Sequence, residues 1–341
     1  MWEKHQTSII IAISFIITLA SFWLLPQLAF VIFIALLLHL LLHPLVNRLR
    51  RIRSIPRGIA AAATLVFFLL FVTLLFTVLS TPLARSAQKF THDLPTLTEN
   101  IRRVFASYPF IAEEIDQLWA ELASIGIGAV RSSLEVLFSF FAKVFDTVII
   151  LFAAFYLLKD GRSIETWFVN LFPKRDHLRV RRLFDRILGA LHKYICSQIA
   201  ICFLMGCLVF LYFTLRDLPY AAVFAVLSGA SEFVPVIGPT VAALFGISLA
   251  ATISPWMAFQ TLIFYLLITQ ANHNFIYPTL IGKSLNLHPI AILLGILLGG
   301  CLLDAPGMFL AVPLIVTIRL VVTDIHDASK AAAKPAKDSD T

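Results

Sequence analysis

The sequence predicts an all-α, polytopic integral membrane protein, and three observations carry that prediction. Hydrophobic residues make up 59% of the 341 and charged residues only 14%, whereas soluble domains run at roughly 45–50% and about 25%. Apolar runs long enough to cross a hydrocarbon core of about 30 Å recur along the chain. The basic residues gather in short stretches beside those runs, as cytoplasmic loops do. The net charge of +7 therefore speaks for membrane topology and against a nucleic-acid partner.

The first two runs, 8–25 and 27–44, meet at Pro26 and form a tight helical hairpin. Lys4 ahead of an apolar run resembles a secretory signal, but no small-x-small cleavage site follows, so an uncleaved first span is expected. The run at 58–81 completes an N-terminal three-span scaffold, 1–81. Residues 82–135 form an external amphipathic helical segment. Leu94, Leu97, Ile101, Val104 and Phe105 recur at helical spacing, as do Ile111, Ile115, Leu118, Trp119 and Leu122. Two helices lying on the outer surface or against a neighbouring subunit are expected there. A fourth span, 136–158, and a basic cytoplasmic helical loop make up 136–193.

Residues 194–322 form the expected transport core. Spans 194–215 and 256–277 are each followed by an apolar stretch, 219–252 and 289–322, too long for one span and too short for two comfortable ones. Pro235, Gly238 and Pro239 break the first stretch; Pro306 and Gly307 break the second. Both are expected to be re-entrant helical hairpins or pairs of short spans, with the broken tip inside the protein. The total is six full spans plus two broken hairpins, about eight membrane segments. The span-plus-hairpin order occurs twice in opposite senses, an inverted repeat of the kind used by secondary transporters. Residues 323–341 are expected to be a disordered cytoplasmic tail.

Orientation follows from charge. Arg48, Arg50, Arg51, Arg53 and Arg57 crowd 45–57 with no acid between them, and 159–193 carries nine Lys or Arg against four acids. By contrast, 82–135 carries five basic and seven acidic residues. The positive-inside rule puts both termini, the arginine cluster and 159–193 in the cytoplasm. The five arginines are expected to face the membrane surface and its anionic lipid.

Ionisable groups are costly in the bilayer centre, so the acids inside apolar segments are informative. Asp146 stands three residues from Lys143, a spacing suited to an ion pair on one helix face. Glu232 precedes the first break and Asp304 the second, where freed backbone groups and helix ends can bind a polar solute or cation. Capping of backbone N–H groups is the alternative role for either acid. Gln270, His273 and Asn274 share a helix face at i, i+3, i+4 and can line a polar pathway or glue helices together. His39 and His43 lack a third ligand, and the four cysteines have no metal-ligand spacing, so neither a metal nor another cofactor is expected. No HExxH, nucleophile elbow or phosphate-cradling loop is present, and Gly282-Lys283-Ser284 lacks the upstream glycine of a P-loop. An enzyme is not expected, and any transport is driven by gradients.

Several motifs, in order, resemble the AI-2E family, the autoinducer-2 exporter-like and PerM-type permeases. They are Tyr156-Leu-Leu-Lys-Asp-Gly161, Leu218-Pro-Tyr220, Phe233-Val-Pro-Val-Ile-Gly-Pro239, Pro278, Ile281-Gly-Lys283, Leu287-His-Pro289, Gly307-Met308 and Ala311-Val-Pro313. The resemblance covers most of the chain and is strongest from Tyr156 to Pro313. It implies a bacterial inner-membrane, homo-oligomeric protein, a pentamer being the expected assembly. It also implies export of a small polar solute such as autoinducer-2, or sodium–proton exchange, as members are linked with both. Many members carry Glu before Asn in the segment leading to Pro278, where this chain has His273-Asn274. Asp304 stands where a small residue, often Gly, is common. Three functions follow: an alternating-access exporter of a small polar solute, a cation–proton antiporter using Glu232, Asp304 and His273, and a non-transporting membrane scaffold bound through its arginine-rich loops.

Overall fold

The computed structural model of the protein describes residues 2–53, 55–105, 117, 144–234, 237–280 and 288–333; helices account for most of these, and no strand occurs among them. The helices are α1 (Trp2–Leu24), α2 (Pro26–Arg53), α3 (Arg57–Phe105), α4 (Val144–Val169), α5 (His177–Leu215), α6 (Ala221–Ser231), α7 (Ile237–Ala251), α8 (Pro255–Ala271), the short α9 (Tyr277–Leu280) and α10 (Pro289–Ala333). A π-helical turn, Asn272–Ile276, joins α8 to α9.

Among the described residues, five helical stretches are long and apolar enough to cross a membrane: Gln6–Leu24, Pro26–Arg51, Arg57–Asp93, Lys174–Leu215 and Pro306–Lys330. Trp23 (76% exposed), Phe203 (74%) and Phe67 (65%) stand out from them, a surface suited to hydrocarbon and not to water. This is a multi-pass, all-α membrane protein. Three of the stretches contain the predicted spans 27–44, 58–81 and 194–215, and Gln6–Leu24 covers the predicted 8–25 except for its last residue. The fifth is the second arm of the predicted 289–322 hairpin, and with 25 residues it is long enough to cross alone. The predicted span 256–277 is a 17-residue helix followed by the π turn. The predicted span 136–158 begins outside the described residues.

The chain divides into two compact units, 1–67 with 145–196 and 283–341, and 68–144 with 197–282. In the first unit, α1 and α2 fold back on each other. The Phe22 and Phe33 rings lie 6.0 Å apart, edge to face, where one straight helix would hold them about 16 Å apart. Leu37 and Leu40 of α2 pack with Leu191 and Ile195 of α5 and Leu310 of α10. Within α10, the helical backbone is interrupted at Leu303 (φ −143°) and Asp304 (φ 52°, ψ −139°), and the chain reverses. Gly295 then lies against Ile315, and Gly299 against Gly307, the register of an antiparallel hairpin. A Cβ on Gly307 would sit 1.9 Å from the Gly299 carbonyl oxygen, so only glycine permits this approach.

The C-terminal segment departs from expectation. Residues 323–333, expected from composition to be disordered, are the last turns of α10. Arg179 of α5 donates to Asp324 Oδ2 at 2.7 Å and to Ser8 Oγ at 3.2 Å, and Val321 joins a buried cluster with Ile11, Val180 and Leu183. These contacts supply the partners that composition does not reveal.

In the second unit, four phenylalanines form the centre. Phe224 stacks on Phe213 and Phe245 with centroids 4.8 and 5.3 Å away, and Phe90 meets Phe245 edge-on at 5.4 Å. Phe90 belongs to α3, which runs unbroken for 49 residues, or about 74 Å at 1.5 Å per residue. Its distal half buries Leu83, Phe90, Leu97 and Ile101 in this core. Residues 82–105 are thus a continuation of the third span packed on the chain itself, and not a separate surface helix. The second predicted external helix, around 111–122, lies outside the described residues apart from Gln117.

Candidate functional site

The site grows from the break between α6 and α7. Glu232 comes directly after the last residue of α6, and the chain turns through Phe233 N–H to Ala230 O (3.2 Å) and Val234 N–H to Ser231 O (3.0 Å). The Gly238 N–H then donates to the Val234 carbonyl at 3.0 Å as α7 begins. A Cβ on Gly238 would fall 1.9 Å from the Ser231 carbonyl oxygen, so this glycine lets the two arms touch backbone to backbone. The first predicted hairpin break is present, with Gly238 and Pro239 at the start of its second arm. Pro235 lies outside the described residues.

Glu232 is only 6% exposed. Two amide side chains meet it. Gln198, on α5 and 1% exposed, donates through Nε2 to the Glu232 backbone carbonyl at 2.8 Å. Asn272, 4% exposed, donates through Nδ2 to Glu232 Oε2 at 3.4 Å. The remaining amide oxygens, Gln198 Oε1 and Asn272 Oδ1, are buried without a hydrogen-bond partner among the described residues. A carboxylate and two acceptor oxygens are thereby brought into one buried cluster. Acceptors without donors are costly to bury, so the arrangement suits a proton, a cation or the N–H or O–H groups of a polar solute.

Asn272 reaches Glu232 because it opens the π turn. A π turn widens the helix by one residue and rotates the register of the next turn, a device common at functional sites. Gln270, His273 and Asn274 are all exposed, and it is Asn272, between them, that bonds to Glu232. His273 instead borders a groove of about 270 Å³ lined with Pro239, Thr240, Tyr265 and Thr269. A smaller space of about 10 Å³ beside Glu232 is walled by Ser228, Ser231, Pro239, Tyr265 and Thr269. Pro239, Tyr265 and Thr269 are walls of both. The Tyr265 and Ser228 hydroxyls are 3.2 Å apart, which fixes α8 beside α6.

Residue spacing does not single out Gln198, and it places Asn272 only within a polar stretch. An amide inside an apolar span is itself a signal, since it must find a partner within the protein. The other expected site residues lie in the first unit. Asp304 and Pro306 are exposed at the second break, where Gly307 is buried. Lys143, and with it the expected Lys143–Asp146 pair, lies outside the described residues. The His39 and His43 rings are 5.4 Å apart, and no cluster of three or more metal-ligating side chains occurs among the described residues.

A multi-pass, all-α membrane protein with a buried carboxylate at a broken helical hairpin belongs, as a class, with membrane permeases. The chain belongs to the AI-2E transporter family, whose sequence model, described as "AI-2E family transporter", matches residues 12–327. It is similar to "Putative transport protein YueF" of Bacillus subtilis, 27% identical over 197 residues that cover 58% of this chain and 53% of that protein. "Putative transport protein YrrI" of the same organism is 29% identical over 171 residues, 50% of this chain and 48% of the relative. "Putative permease PerM" of Escherichia coli is 25% identical over 214 residues, 61% and 59% of the two chains. The chain spans about half the length of YueF and YrrI.

Proposed function

We propose that this chain is a secondary transporter, and not an enzyme, that moves a small polar solute across the membrane by alternating access. Glu232, Gln198 and Asn272 form its polar site. The observation that carries the reading is the buried oxygen cluster at the α6–α7 break, since such a group in a membrane segment is costly unless it serves a ligand. An autoinducer-2-like metabolite, rich in hydroxyl donors, suits a site rich in acceptors, and export is the direction the family's name favours. The order of span and hairpin that the sequence repeats, expected to run in opposite senses, is the plan of two-state secondary transporters. Placement in a bacterial inner membrane with both termini cytoplasmic, and assembly as a homo-oligomer such as a pentamer, belong to the same reading.

One observation favours a second reading, cation–proton exchange: every free polar atom in the cluster is an oxygen, the ligand type that hard cations take. The two readings separate in liposomes. Purified protein is reconstituted, and efflux of autoinducer-2 and related polyols is followed under imposed proton and sodium gradients, with Glu232→Gln alongside. Solute flux that Glu232→Gln lowers by about tenfold or more supports the exporter. Proton movement driven by sodium alone, lost in the same variant, supports exchange. Flux that the variant leaves unchanged removes Glu232 from the site.

A further inference from the structure

The arginines of the α2–α3 connection do not act alike. Arg57 turns inward, its Nε–H donating to the Leu158 carbonyl of α4 at 2.8 Å, and this bond fastens the start of α3 to the end of the α4 apolar run. Arg48 is exposed and does not line the depression that follows. Arg50 and Arg51 instead face Arg162, from the next stretch of α4. With Asn47 and Ile55 they line an open polar depression of about 510 Å³. Residues more than a hundred positions apart in sequence thus converge on one pocket, and no acid lines it among the described residues.

Nor do nearby acids neutralise it. Asp160 lies 3.8 Å from Lys159, and Glu165 lies 3.2 Å from Arg181. Among the described residues no carboxylate is paired with Arg50, Arg51 or Arg162. Three guanidiniums lining one depression with no paired carboxylate among the described residues repel one another, and an anion with several acceptor oxygens relieves that repulsion. Guanidinium forks match phosphate oxygens in pairs, and the Asn47 amide, one N–H of which can serve the His43 ring at 3.3 Å, has a second N–H to offer. Arg51 ends the apolar stretch Pro26–Arg51, so the pocket lies where a membrane helix enters the headgroup layer.

We propose that Asn47, Arg50, Arg51 and Arg162 form a binding site for an esterified phosphate at headgroup depth. Two sources carry that group, an anionic phospholipid and a soluble phosphate ester. The full chain is purified, and its retention of phosphatidylglycerol against phosphatidylcholine is read by native mass spectrometry. Binding of glycerol phosphate to the same sample is read by calorimetry. In the variant Arg50→Gln/Arg51→Gln/Arg162→Gln, retention of phosphatidylglycerol is expected to fall by about tenfold or more. A control of equal charge loss, Arg48→Gln/Arg182→Gln/Arg186→Gln, is expected to retain it. Glycerol phosphate binding that the pocket variant loses, without lipid preference, upholds the site and assigns it to the soluble source. Equal loss in the control, or retention of both probes by the pocket variant, overturns the proposal. Should the triple variant fold poorly, the single exposed Arg162→Gln is read the same way, with a loss of about threefold or more expected.

Discussion

Glu232 was legible in the sequence because an acid inside an apolar run is too costly to be incidental. Its partners were less so. Helical spacing groups Gln270, His273 and Asn274 on one face, but the π turn opens at Asn272 and turns that residue inward in their place. Asn272→Leu is therefore expected to lower gradient-driven flux by about tenfold, with His273→Ala retaining most of it; the reverse order in a liposome assay would return the site to the predicted face. Asp304 carries a different lesson. Its φ of 52° with ψ of −139° is a conformation that costs a non-glycine residue about 1–3 kcal/mol. Asp304→Gly is expected to raise the unfolding free energy by about 1 kcal/mol, measured by denaturant titration in detergent. If Asp304→Asn changes neither flux nor its ion dependence, the acid has no share in coupling.

Among elements, the broken hairpins were the most legible, because proline and glycine leave unmistakable interruptions in otherwise continuous apolar stretches. What sequence could not weigh was the closeness of the arms. Gly238→Ala is expected to destabilise the protein by about 1–3 kcal/mol through collision with the Ser231 carbonyl, seen as a lower melting temperature and loss of the monodisperse species. Gly189→Ala, on an exposed helix face with nothing within 4 Å of the new Cβ, is expected to stabilise by about 0.5–1 kcal/mol. The end of α3 was misplaced for a related reason. Pro82 and the polar residues after it resemble a helix boundary, yet Leu83, Phe90 and Leu97 repeat every seven positions and keep one seam buried. Which surface receives that seam is decided by Phe213, Phe224 and Phe245, more than a hundred residues away.

At the scale of the whole molecule, composition and charge distribution were enough to recognise a multi-pass helical membrane protein. The division into compact units was not legible, because each unit is assembled from distant stretches of chain. The positive-inside assignment yields a direct test of topology. With the four native cysteines replaced by serine, Arg50→Cys and Arg102→Cys are expected to react with a membrane-impermeant maleimide from opposite sides of the membrane. Labelling of both from one side would reverse or redraw the predicted orientation. Both positions are exposed, so a failure to react would reflect sidedness and not burial.

The bond from Gln198 has one more consequence. It ends on the backbone carbonyl of Glu232 and leaves the carboxyl group unclaimed by that amide. The mooring and the carboxyl end of the residue are thus separate: the bond that ties the main chain to α5 does not involve the acid group. On the proposed transport reading, a change of cargo is registered at the side chain without casting off the loop that carries it.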